Sequence, residues 1–142
     1  MDVLTNPDVL RILAVEDSPT IIERLESILD EVSGVRFVGH ATSVKDALVA
    51  IEQQHPDVLL LDIRLGDDEE KSGLELLSVV KQKYPAIAVV MLTNLSGPRY
   101  RSLCESKGAE FFLDKSEDFE KIPGTLSKIK NRGINGRVSN DD

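Results

Sequence analysis

Two kinds of segment alternate along the chain. The first is short, apolar and rich in β-branched residues: RILAV at 11–15, VRFVGHA at 35–41, DVLLLD at 57–62, AIAVVML at 86–92 and EFFLD at 110–114. Most are near-continuous apolar runs rather than strict alternations, the pattern of strands covered on both faces of a parallel sheet. The second kind is helical, and its starts are marked. Ser18-Pro19 reads as an N-cap and first helical position, and Ile21, Ile22, Leu25, Ile28, Leu29 and Val32 then recur at helical spacing up to Gly34. Ser43 opens a second helix, with Asp46 three residues on and His55-Pro56 closing it. Ser72 opens a third, with Glu75 at capping-box spacing and Pro85 beyond its end. A fourth is expected from Ser96 to Gly108. A fifth covers 118–131, where Pro123 and Gly124 are tolerable only in the first turn.

The order is β–α, five times over. It predicts an α/β fold: a doubly wound, five-stranded parallel sheet with helices on both faces and right-handed crossovers. In such sheets ligands sit at the carboxyl ends of the strands, near a switch in strand order. At 142 residues the chain is expected to form one domain, over 10–131, with an N-terminal extension at 1–9 and a polar C-terminal tail at 132–142.

Composition narrows the function. A net charge of −8 argues against direct binding of nucleic acid by the bulk surface, since phosphates are repelled. No apolar stretch is long enough to span a membrane, and no signal peptide is evident. The single cysteine, Cys104, fits a reducing compartment such as the cytoplasm and reads as a structural thiol in the fourth helix. His40 and His55 are isolated, without an evident metal partner. The basic, semi-aromatic face formed by Arg99, Tyr100, Arg101 and Lys107 reads first as solvated charge, and second as an interface.

The chemistry collects at the strand ends. The first strand ends in Glu16-Asp17, the third in Asp62, the fourth in Thr93 and the fifth in Asp114-Lys115. Two carboxylates about 4 Å apart repel by roughly 4 kcal/mol at an effective dielectric near 20, so a cation must compensate. Lys115 and a divalent metal are the available compensators. Oxygen ligands without Cys or His favour Mg²⁺ or Mn²⁺ over Zn²⁺. Metal, ammonium and hydroxyl together serve phosphoryl transfer, and a carboxylate can itself accept the group. Each residue has a plain alternative: an Asp after a strand is usually a cap or turn residue, and Glu16-Asp17-Ser18 could simply favour the dipole of the following helix. The weight lies in complementary groups arriving at one edge from separate strands.

At these residues the sequence resembles the receiver domains of two-component response regulators, over roughly 10–131. The motifs are ILAVEDSP, VLLLDIRL with SGLELL, VVMLTN and GAEFFLDKS, in that order. The resemblance implies a flavodoxin-like (βα)5 fold of the single-domain, chemotaxis-regulator-like type. It implies Asp62 as phosphoacceptor, with Mg²⁺ held by Asp17, Asp62 and the Arg64 backbone carbonyl, and by Glu16 through water. Thr93 and Lys115 would contact the phosphoryl group, and Thr93 and Phe112 would form the switch. The implied phosphodonor is a histidine kinase or histidine phosphotransfer protein. Output would be phosphorylation-dependent partner binding, dimerisation or onward phosphotransfer, with no catalysis beyond the chain's own phosphorylation and dephosphorylation.

The sequence departs from the family in four places. The acidic pair is Glu-Asp; Asn94 follows Thr93, where a smaller residue is common; Ser116 follows Lys115, where proline with a cis bond is common; and the loop after Asp62 is about three residues longer. The acids 67–70 in that loop read as solvated, or as discriminating among partners by charge. Two other readings stay open. One is a receiver excised from a longer regulator. The other is a Mg²⁺-dependent phosphohydrolase with an Asp nucleophile, against which stands Arg64 where such enzymes often carry a second Asp.

Overall fold

The computed structural model describes residues 8–65 and 72–132. The acids 67–70 and both expected terminal extensions, except for residues 8, 9 and 132, lie outside the described residues. Five strands, β1 (Leu10–Val15), β2 (Val35–Ala41), β3 (Val58–Leu61), β4 (Ala88–Thr93) and β5 (Phe111–Asp114), alternate with five helices, α1 (Pro19–Asp30), α2 (Val44–Gln54), α3 (Ser72–Lys83), α4 (Pro98–Ser106) and α5 (Ile122–Asn131). All strand pairs are parallel, in the order β2-β1-β3-β4-β5. The expected doubly wound sheet is therefore present, and its order reverses between β1 and β3.

The alternation of side chains across a strand divides the core in two. Leu13, Val15, Leu59, Leu61, Val89 and Met91 face one side and pack with Ile51, Leu76, Leu77 and Cys104. Ile12, Ala14, Leu60, Val90 and Leu92 face the other and pack with Leu25, Leu29, Ile122 and Leu126. The central strands are buried on both sides, which is why their sequences run apolar without a break.

The helix starts divide into those the sequence predicts and those it does not. Ser18 Oγ accepts from Ile21 N at 3.3 Å, and Ser43 Oγ from Asp46 N at 3.1 Å. His55 closes α2 in the left-handed region at φ 50°. Pro123 and Gly124 do lie in the first turn of α5. The start of α3 differs from expectation. Ser72 is already its first helical residue, and its hydroxyl donates to Leu65 O at 3.4 Å, tying the helix back to the chain after β3. The start of α4 differs too. The cap is Gly97, with no side-chain hydrogen bond, because the Ser96 hydroxyl is used by Asp114 across the sheet edge.

Cys104 is fully buried, and burial raises its thiol pKa to about 11. A thiol that is both inaccessible and protonated is unreactive. We therefore expect maleimide or disulfide reagents to leave it unlabelled at neutral pH in the native protein and to label it fully in denaturant. Rapid native-state labelling would contradict this burial.

Candidate functional site

Three strand ends deliver the charged groups to one edge, the acids from β1 and β3 and the lysine from β5. Backbone bonds fix their relative heights: Glu16 N donates to Ala41 O at 2.9 Å, Asp62 N to Val15 O at 3.2 Å and Lys115 N to Thr93 O at 2.9 Å. The turn after β1 is drawn tight because Ser18 N donates to Glu16 Oε2 at 2.9 Å. Glu16 is buried while Asp17 is exposed, yet one oxygen each from Glu16, Asp17 and Asp62 lie within 4.8 Å of one another. Lys115 Nζ reaches in from β5 and stands 2.8 Å from both Asp62 Oδ2 and Glu16 Oε1. The Asp62 contact is an aligned hydrogen bond, whereas Glu16 Oε1 faces the ammonium as a charge contact without hydrogen-bond geometry.

Three carboxylates thus face one ammonium. Burial raises the pKa of Glu16, even though Lys115 and the Ser18 amide pull it down. Burial alone would lower the pKa of Lys115, but the Asp62 and Glu16 carboxylates outweigh it and raise it, so the lysine is held charged. The buried Glu16 Oε1, short of a good donor, together with the all-oxygen donor set, fits a hard divalent cation such as Mg²⁺. Arg64 lies just past Asp62 between buried Ile63 and Leu65, with its side chain exposed.

Thr93 is fully buried at the end of β4, and Leu95 N donates to its hydroxyl at 3.2 Å. That hydroxyl retains its own proton to give. Phe112 is buried on β5, and the Arg101 guanidinium lies over its ring at 4.8 Å. Glu16, Asp17, Asp62, Thr93 and Lys115 therefore meet at this edge.

Sequence reasoning gave no role to Gly73, and placed Asp114 at the end of the fifth strand without naming its partners. A Cβ built on Gly73 would stand 1.9 Å from Asp62 O and 2.8 Å from Ile63 Cα, so only glycine lets α3 lie against the backbone that carries Asp62. Gly73 N also donates to Ile63 O at 2.7 Å. The readable signal was a glycine in the first turn of a helix that follows the acidic strand. Asp114 gathers the Ser96 hydroxyl and the N–H groups of Ser116 and Glu117. No cis peptide bond occurs among the described residues, so the Lys115–Ser116 bond is trans.

A family model for the response regulator receiver domain matches residues 12–127. The sensory transduction protein LytT of Bacillus cereus is 31% identical over 121 residues, covering 85% of this chain and 47% of LytT. The response regulator domain of Thermotoga maritima CheB superposes with a TM-score of 0.74 at 25% identity, covering 89% of this chain and 97% of that one. The isolated REC domain of RcsB from Salmonella enterica serovar Typhimurium, solved with the phosphomimetic BeF3⁻, superposes with a TM-score of 0.80. At 17% identity, over 89% of this chain and 91% of that one, it speaks to the fold alone. The chain spans about half the length of the curated relatives it matches first.

Proposed function

Because this chain belongs to the response regulator receiver domain family, a phosphoacceptor module of two-component signalling, we propose that Asp62 is its phosphoacceptor. The observation that carries the assignment is Lys115 Nζ, 2.8 Å from both Asp62 and Glu16, at the strand edge where Asp17 and Thr93 also converge. The Asp62 carboxylate attacks the phosphorus of a phosphohistidine on a histidine kinase or phosphotransfer protein. The P–O bond forms as the P–N bond breaks, and the imidazole leaves. Lys115 orients the carboxylate through Oδ2 and then pairs with the phosphoryl oxygens, and Thr93 donates its hydroxyl proton to one of them. Glu16, Asp17, Asp62 and the Arg64 carbonyl would hold Mg²⁺, which when bound neutralises charge on the phosphoryl oxygens. Thr93 and Phe112 then act as the switch that reports the modification to the α4–β5 face.

The chain's chemistry is limited to its own phosphorylation and dephosphorylation. It acts in the cytoplasm without direct contact to nucleic acid or membrane, by binding a protein target, dimerising or passing the group on. Among the described residues no helix is long and apolar enough to cross a membrane. The test is incubation with acetyl phosphate and Mg²⁺, followed by borohydride reduction of the acyl phosphate and peptide mapping. One modified site at Asp62 is expected. Modification elsewhere, or sustained turnover of a generic phosphate ester as the hydrolase reading requires, would sink the assignment.

The metal assignment has its own test. Asp17 is the exposed member of the cluster, so Asp17→Ala removes a carboxylate without opening the core. Removing one of three acidic groups is expected to weaken Mg²⁺ binding by about tenfold or more, measured by calorimetry. An unchanged affinity would remove Asp17 from the ligand set.

A further inference from the structure

The loops that follow Thr93 and Lys115 are laced to each other by side chains outside the phosphorylation machinery. Ser96 Oγ donates to Asp114 Oδ2, and Ser116 Oγ donates to Asn94 Oδ1 at 3.1 Å. Asp114 is a firm anchor. Its Oδ1 accepts from Ser116 N at 2.8 Å and Glu117 N at 2.9 Å, and its own N–H donates to Asp118 Oδ2 at 2.9 Å. The Ser96 hydroxyl, followed by the two amides, holds the Asp114 carboxyl below its usual pKa, so the acceptor stays ionised.

The consequence follows from Thr93. Lys115 Nζ already touches Asp62, but the Thr93 hydroxyl is engaged by Leu95 N within its own loop and, among the described residues, makes no bond to Asp62, Glu16 or Lys115. Any approach of Thr93 to an oxygen carried on Asp62 runs from β4 toward the neighbouring β3. Through the Leu95 bond, residues 94–96 shift with it. β3 and β5 lie on opposite sides of β4, so this movement draws Ser96 and Asn94 away from Asp114 and Ser116. Both cross-loop hydrogen bonds oppose it.

We propose that Asp114 and Asn94, engaged by Ser96 and Ser116, form a clasp that holds the Thr93 loop toward β5, so that the two serines set how readily the site accepts a phosphoryl group. The sequence places a serine where relatives of this family commonly carry proline, and it is this hydroxyl that closes half of the clasp. The inference rests on the reading of Asp62, Thr93 and Lys115 given above.

The test is a beryllofluoride titration in saturating Mg²⁺ of the full chain and of Ser96→Ala, Ser116→Ala and the double variant, with a thermal melt of each. One hydrogen bond removed from the clasp corresponds to about fivefold tighter half-saturation for each single variant. The double variant is expected to exceed either, and Ser96→Thr, which keeps the hydroxyl, to restore the original value. Unchanged or weakened beryllofluoride affinity in both alanine variants, with or without a lower melting temperature, overturns the clasp while leaving the phosphoacceptor assignment standing. Failure of the unsubstituted protein to bind beryllofluoride overturns both.

Discussion

Asp62→Asn is expected to abolish phosphoryl labelling outright while leaving the fold in place. The amide keeps the shape of the carboxylate but is not a nucleophile toward phosphorus, so no residual rate is expected at that position. The structural cost is small because opposing effects meet. Lys115 loses one of its two carboxylate partners, but Glu16 loses a like charge nearby, which is one of the causes raising its pKa. The melting temperature is expected to stay within about 5 °C of the parent, corresponding to roughly 1 kcal/mol. Labelling from acetyl phosphate followed by intact-mass spectrometry reads the first outcome, and a thermal melt reads the second. Undiminished labelling of a folded Asp62→Asn protein would contradict the site.

The second large effect concerns a residue with no functional group. Gly73→Ala puts a methyl 1.9 Å from Asp62 O and 2.8 Å from both Asp62 C and Ile63 Cα. All three are backbone atoms, so no side-chain rotation relieves the overlap; either α3 or the strand end must move. Overpacking of this kind costs about 3 kcal/mol, at the upper end of the usual range, and is expected to lower the melting temperature by roughly 10 °C. Because two of the three crowded atoms belong to Asp62 itself, the labelling rate should fall as well. Gly124→Ala is the control. A Cβ there meets nothing within 4 Å, so the substitution should be neutral or stabilise α5 by about 0.5 to 1 kcal/mol. A Gly73→Ala protein as stable as the parent would show that α3 does not pack on the Asp62 backbone as closely as described.

The two predictions differ in where their information came from. Asp62 stands out in the sequence because a charge ends an apolar run that alternates with helices, and strand direction alone sends it to the ligand-binding edge. The same holds for Glu16, Asp17, Thr93 and Lys115. The helix caps at Ser18 and Ser43 were equally legible, because a cap is a bond between residues three apart. Ser72 and Ser96 carry the same local signal, but a distant partner claims each hydroxyl: Leu65 O for one and the Asp114 carboxylate for the other. Gly73 differs again, since its requirement comes from the backbone of another element.

By itself, then, the sequence determined whatever depends on periodicity and chain direction: the element order, the two-sided core, and the edge at which three carboxylates, a hydroxyl and an ammonium must meet. Only the tertiary structure decided which atoms of that set touch. It set Lys115 between Asp62 and Glu16 rather than on Asp17, left Glu16 Oε1 without an aligned donor, turned the Thr93 hydroxyl to Leu95, and joined Ser96 to Asp114. The reason is the range of the forces involved. Hydrophobic burial is non-directional and is written into composition every two or four residues. A hydrogen bond or a Cβ contact is decided within a few tenths of an ångström between residues that may stand dozens of positions apart in the chain.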